Sequence, residues 1–234
     1  AGYTHTVPGW KKPFFGQHTA TAAFSTTTLG AVFDYTGLFP QSMGLADQQA
    51  RLTVKTPLFA RNFFGITNQY RGGPSDFFRV RQGAIEARWG LWYGFGGMRT
   101  RLGGELIGQA LDTQQTPGRY VSVAPELDPD DFGGKLFAGV RLFAEGTTFD
   151  SFTLPRRGVA LHASLTGRYD VVRGRAFSAT YKLAAAAAVP LERSARFVVL
   201  SRASLEGITG DYPFYFAPTL GAENGLEHRS GILC

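Results

Sequence analysis

The residues that could do chemistry are few and scattered. His5, His18, His162 and His228 stand at intervals that match no metal-ligand spacing. Cys234 is the sole cysteine and the last residue, with nothing around it to support a nucleophile. Serines are frequent, but no G-x-S-x-G elbow presents one. Gly94, Gly96 and Gly97 form GFGG, which lacks the rest of a dinucleotide fingerprint and falls in a predicted strand. Asp128, Asp130 and Asp131, in ELDPDDFGG, have the ligand type a divalent cation takes, and they equally make an ordinary solvated acidic loop. The acidic loop is the expectation. The chain is expected to be no enzyme, to carry no cofactor and to bind no metal.

The arginines are the next candidates. The net charge is +6, which suits nucleic acid or anionic lipid as a partner. Nucleic acid needs a contiguous basic surface, whereas here the positive charges fall singly on many predicted strands, mixed with Glu86, Glu105 and Glu145. Arg79 and Arg81 share one strand face, as do Arg99 and Arg101. Arg141, Arg168 and Lys182 each oppose an apolar stripe. In a membrane barrel all seven are expected to point into the lumen, because an arginine facing lipid at mid-depth costs about 2–4 kcal/mol. The expectation is lumen charge paired with lumen acid, and no nucleic-acid partner.

The elements that would position these residues follow a period of two. In RGVALHASLTGRY, Val159, Leu161, Ala163, Leu165, Gly167 and Tyr169 fall on one face, and His162, Ser164, Thr166 and Arg168 on the other. Leu136, Ala138, Val140, Leu142 and Ala144 repeat the pattern, and so do Phe177, Ala179, Tyr181 and Leu183. No long stretch keeps a helical period. Strands are predicted near 17–26, 28–36, 48–57, 59–67, 76–89, 92–106, 134–146, 157–170, 175–189 and 195–207. Several approach or exceed the ~9–11 residues of a tilted transmembrane strand.

Connections alternate in length. Short ones are expected near 26–28, 57–58, 90–91 and 190–194, and long ones at 37–47, 68–75, 108–133 and from 210 onward. Short turns at one end and long loops at the other describe an outer-membrane barrel. Trp10, Phe14, Phe15, Trp89, Trp92, Tyr93, Phe214, Tyr215 and Phe216 fall at predicted strand ends, where such barrels carry aromatic girdles. With 18% charged residues, 14% aromatics and a mean hydropathy of −0.09, the chain is neither disordered nor a disulfide scaffold. Its longest apolar run, LAAAAAVPL, is too short for a membrane helix. The N-terminus has no signal-peptide pattern.

Three stretches together resemble one family. AVPLERSARFVVLSRASLEG followed by DYPFYFAPTLGAENGL is similar to the strand, Val-Pro turn and long outer loop of the BamA/TamA family, the outer-membrane assembly factors also called bacterial surface antigens. The matching loop residues are Pro213, Phe214, Tyr215, Leu220, Gly221, Asn224, Gly225 and Leu226. FDSFTLPRRG resembles the family's periplasmic turn through Asp150, Pro155, Arg157 and Gly158, with Ser151 and Phe152 in place of its Arg-Asp pair. RNFFGITNQY…DFFRVR looks like a stretch of related barrels, some of them fused to an enzyme.

The resemblance implies an all-β antiparallel transmembrane barrel, one domain over residues 1–234, with about ten strands present of sixteen. It implies no POTRA or enzyme domain here, so the chain is expected to be a piece of a longer barrel. The implied place is the bacterial outer membrane, in contact with its lipid and lipopolysaccharide. The implied role is assembly, insertion or translocation of unfolded outer-membrane proteins. The alternatives are a membrane anchor and export barrel for a fused phosphoesterase or patatin-like enzyme, and a general diffusion porin.

Overall fold

The computed structural model describes residues 1–9, 15–26, 28–58, 61–63, 74–95, 100–125, 127–151, 154–174, 177–192 and 196–218. Among the described residues ten strands form one antiparallel meander: β1 (Gly2–Val7), β2 (Gly16–Ser25), β3 (Gly30–Met43), β4 (Ala46–Lys55), β6 (Arg79–Phe95), β7 (Thr100–Gln114), β8 (Gly133–Thr147), β9 (Gly158–Asp170), β10 (Phe177–Pro190) and β11 (Val198–Gly210). The two-residue β5 (Arg61–Asn62) pairs with the start of β6. Each strand neighbours its successor, the pattern that antiparallel pairing by short connections favours. β1 and β11 are the two edges and do not pair with each other, so the sheet is not closed among the described residues. No helix among the described residues is long and apolar enough to cross a membrane.

The sheet is inverted relative to one built for water. Along β9, Val159, Leu161, Leu165 and Tyr169 are exposed, while His162, Thr166 and Asp170 are buried. Along β8 the exposed set is Leu136, Val140 and Leu142, with Leu142 58% exposed. In-register antiparallel pairing keeps opposite residues on one face, so these choices extend across the sheet. Leu106 faces Val140, Leu142 faces Leu165, and Leu183 faces Leu205, all outward. Glu105 faces Arg141, and Lys182 faces Glu206, both inward.

The structure moves several turns. The predicted break at 90–91 lies inside β6, which runs on to Phe95, and β7 begins at Thr100. A Cβ on Gly90 would stand 2.8 Å from Cγ of Glu105, so this glycine makes room for a carboxylate crossing its strand. The predicted long loop at 37–47 is a two-residue turn, with β3 running to Met43 and Gly44 at φ +70°. Pro40 is accommodated where the β3–β4 register shifts between Phe39 and Met43. Residues 56–78 form one long connection containing β5; of the strand predicted at 59–67, Arg61 and Asn62 are strand, Phe63 is not, and 59–60 and 64–67 lie outside the described residues. β1, whose apolar content is too low for an alternation signal, was not anticipated.

With these shifts the long connections, 56–78, 115–132 and the segment after β11, share one end of the sheet, here the long-loop end. The connections 44–45, 96–99, 148–157 and 191–197 share the other, the short-loop end. The short turns 26–29 and 171–176 belong to the long-loop end.

Candidate functional site: a charged inner face with an aromatic cap

The inner face carries a ladder of charges from strand to strand. On β3 and β4, Asp34 binds Arg51 at 3.1 Å and accepts from the Thr53 hydroxyl at 2.6 Å. On β6, Arg88 pairs with Glu86 at 2.5 Å and reaches Glu105 of β7 at 3.7 Å. Glu105, 7% exposed, is also held by Arg141 of β8 at 3.2 Å. Arg141 Nη2 lies 3.4 Å from His162 Nε2 on β9, and His162 Nδ1 lies 3.6 Å from Glu145. Glu145 in turn faces Arg101 at 3.5 Å. Lys182 and Glu206 continue the pairing on β10 and β11 at 3.1 Å. Each carboxylate in the ladder already holds a cation, so the arrangement clamps strands together.

Arg168 also lies on this inner face. Its guanidinium donates to the Thr180 hydroxyl at 3.4 Å and lies 4.8 Å from the centre of the Phe216 ring. Gly139 on the neighbouring strand gives it passage, since a Cβ there would stand 3.2 Å from Cγ of Arg168 and 2.6 Å from a backbone oxygen.

At the long-loop end the inner face is covered. After β11 the chain turns inward, and Phe214 is buried with Val80, Val121 and Leu127. Phe63, Phe132 and Tyr215 pack around that cluster. Phe216 meets the buried Phe137 of β8 with ring centres 4.9 Å apart. The Phe214 N–H donates to Asp131 at 3.1 Å, and Arg173 reaches Asp130 at 3.6 Å and Asp131 at 3.9 Å. Burial pushes the Asp131 carboxyl above its ordinary range, with Asp128 acting the same way and the Phe214 N–H and Arg173 opposing. Burial likewise raises the Tyr215 phenol, reinforced by the negative charges of Asp131 and Asp170. Asp128 accepts the Asp130 N–H at 2.8 Å. The acidic loop is thus a latch for the cap. Among the described residues no group of three or more His, Cys, Asp or Glu side chains could hold a metal ion.

At the short-loop end the 148–157 connection is built on Asp150. Its carboxylate accepts the N–H groups of Arg156 at 2.9 Å and Arg157 at 3.3 Å, and these hold it below the usual carboxylate range. Pro155 is buried in the same turn. Gly158 has φ +119° and sits against the Thr148 carbonyl, so no side chain fits there. Phe149 packs inward on Ala160, Ala184, Ala186 and Ala188.

The structure therefore sorts the anticipated residues. Arg101, Arg141, Arg168 and Lys182 lie on the inner face. Arg79 and Arg81 do not: they fall on the outward parity of β6, in line with Ile85 and Trp89. They occupy the first and third positions of β6, at the rim of the sheet, where Arg79 pairs with Asp76 at 2.8 Å. The girdle reading changes too. Trp92 points inward, 8% exposed, and donates to Asp47 at 3.1 Å; Phe214, Tyr215 and Phe216 form the cap. Outward aromatics include Phe24, Phe33, Tyr169 and Phe177 toward the long-loop end and Tyr93 and Phe95 toward the other, while Trp89 and Tyr181 stand near mid-strand. Arg99, Leu220, Gly221, Asn224, Gly225, Leu226, Trp10 and Phe14 lie outside the described residues.

Sequence reasoning missed Asp34, Arg51, Arg88 and the inward Trp92. Their signal was present as parity, because Arg51 and Arg88 alternate with the outward pairs Leu52–Ala87 and Ala50–Trp89.

No known protein-family model matches this chain, and no curated protein matches it.

Proposed function

We propose that this chain forms a sector of a transmembrane β-barrel in the bacterial outer membrane, acting in the assembly or translocation of outer-membrane proteins in the manner of the BamA/TamA family it resembles. One observation carries the membrane reading: the continuous outer face is apolar and exposed, while the inner face is charged and buried. In water, that face would leave a patch far above the few hundred Å² that soluble proteins expose. In lipid an apolar outer face is the favoured arrangement.

One feature favours assembly over free diffusion. The inner face is cross-linked by ion pairs, and its long-loop mouth is filled by Phe214 and its neighbours. An edge strand of such a sheet can template an incoming strand through main-chain hydrogen bonds alone.

The test is refolding of the full chain into liposomes, followed by electrophoresis with and without boiling. A compact band that slows on boiling is expected. A Ser204→Cys variant in a Cys234→Ser background, offered an unfolded outer-membrane protein with a cysteine in its terminal strand, should form a disulfide adduct. Membrane insertion with steady conductance and no adduct would replace assembly with a pore. Failure to insert would remove the membrane reading itself.

A further inference from the structure

The outer face is not uniformly smooth. Across β8, β9, β10 and β11, toward the short-loop end, it is hollowed into a groove of about 670 Å³. The hollow arises because small residues replace large ones in successive strands: Ala144, Ala163, Ala185 and Ala203 line it, with Leu161 and Leu183 rising beside them. Its volume lies in the range of small-molecule sites, and its lining is almost wholly apolar.

The groove runs toward a concentration of positive charge. Thr148 and Val159 are its lining residues nearest the turn. The antiparallel pairing continues one step past them, through the hydrogen bond from the Asp150 N–H to the Arg157 carbonyl. Arg157 stands two residues from Val159, so its Cα lies within about 7 Å of it, beyond the turn that Gly158 makes at φ +119°. Arg156 and Arg157 are both exposed. Among the described residues neither guanidinium forms an ion pair, and Asp150 meets this segment through the backbone N–H groups of both residues. The apolar channel thus ends at a turn that carries two exposed arginines, with no ion pair to either among the described residues.

We propose that this groove and the Arg156–Arg157 pair form a binding site for an anionic phospholipid, with one acyl chain in the groove and the phosphate on the guanidinium groups. The inference rests on the membrane reading above and adds a ligand to it. Apolar chains fill the outer surface of any membrane barrel. The two arginines at the end of a preformed channel are what select a headgroup here, since guanidinium matches phosphate in planar bidentate geometry.

The test uses the full chain refolded into phosphatidylcholine vesicles, with trace phosphatidylglycerol or phosphatidylcholine spin-labelled on the acyl chain. The fraction of label immobilised by the protein is measured. Phosphatidylglycerol should be enriched roughly five- to tenfold over phosphatidylcholine. Arg156→Gln with Arg157→Gln should abolish the preference while leaving the backbone contacts to Asp150, and heat-modifiable migration, unchanged. Ala185→Leu should fill the groove and lower immobilisation of both lipids. Insertion with no headgroup preference, or a preference that survives the double substitution, overturns the inference and leaves the membrane reading standing. Loss of the preference on adding inorganic phosphate, with no effect of Ala185→Leu, overturns it in favour of a simple phosphate site. A chain that does not insert overturns both.

Discussion

Asp131 at the long-loop end and Asp150 at the short-loop end do the same local job: each closes a connection by accepting backbone N–H groups. Their surroundings are opposite. Asp131 is buried beneath an aromatic cap drawn from β6, the 115–132 connection and the segment after β11. Asp150 lies in the open, above a single phenylalanine packed on alanines. One contact type thus moves a carboxyl up where desolvation dominates and down where donated hydrogen bonds dominate. The longer connections allow one end to fold inward and cover the charged interior, while the shorter ones only join strands.

The sharpest way to break this contrast is to remove the cap. Phe214→Ala should cost about 3–5 kcal/mol in denaturant unfolding of the refolded chain. Phe149→Ala, lined mainly by alanines, should fall at or below the bottom of that range. Equal losses would mean that the two ends are packed alike.

The charged band between the ends should be nearly as sensitive. Glu105→Ala leaves two guanidinium groups facing each other and should cost about 3 kcal/mol by the same measurement. The faces can be tested with one chemical change in two places. Leu142→Arg on the outer face should cost about 2–4 kcal/mol in liposomes, and Ser164→Arg on the inner face should cost much less. A reversal would mean that the sheet faces the other way.

The smallest effect is the one that separates the two carboxylates. Asp131 has a raised pKa, so the folded state takes its proton more readily than the unfolded chain. Its contribution to the cap therefore grows as pH falls through the raised value toward the ordinary 3.8. Asp150 has a lowered pKa, so its contribution is complete above 3.8 and is lost as pH falls below it. Amide exchange, corrected for its intrinsic pH dependence, should show the Phe214 N–H better protected in mild acid and the Arg156 and Arg157 N–H groups less protected. Parallel changes would sink the contrast.

Much of this fold was legible because β8, β9 and β10 alternate without interruption, and the face read as apolar is the face exposed. What misled was glycine and proline inside strands. Gly90 and Gly37 have the composition of turns, yet each makes room for a large side chain: Glu105 at the first, Tyr35 and Phe39 at the second. Arg79 and Arg81 misled for a different reason. Parity gave them a common face, but depth, which decides what a charge costs, depends on where the strand starts. The cap was invisible as a cap, because Val80, Val121, Leu127 and Phe214 are brought together only by the curl of the sheet.

The glycine slots carry a consequence for how this sequence can drift over evolutionary time. Gly90 tolerates a methyl group only if Glu105 gives way, and Gly139 only if Arg168 and the backbone beside it do. Both large partners belong to the charged interior, so a change at the slot alone would strain the residue opposite. A change at the partner alone would leave a hollow across the strand. Each pair is therefore expected to substitute jointly or not at all, and related chains should show Gly90 coupled to Glu105 and Gly139 coupled to Arg168, although 14 and 28 residues separate the members of each pair.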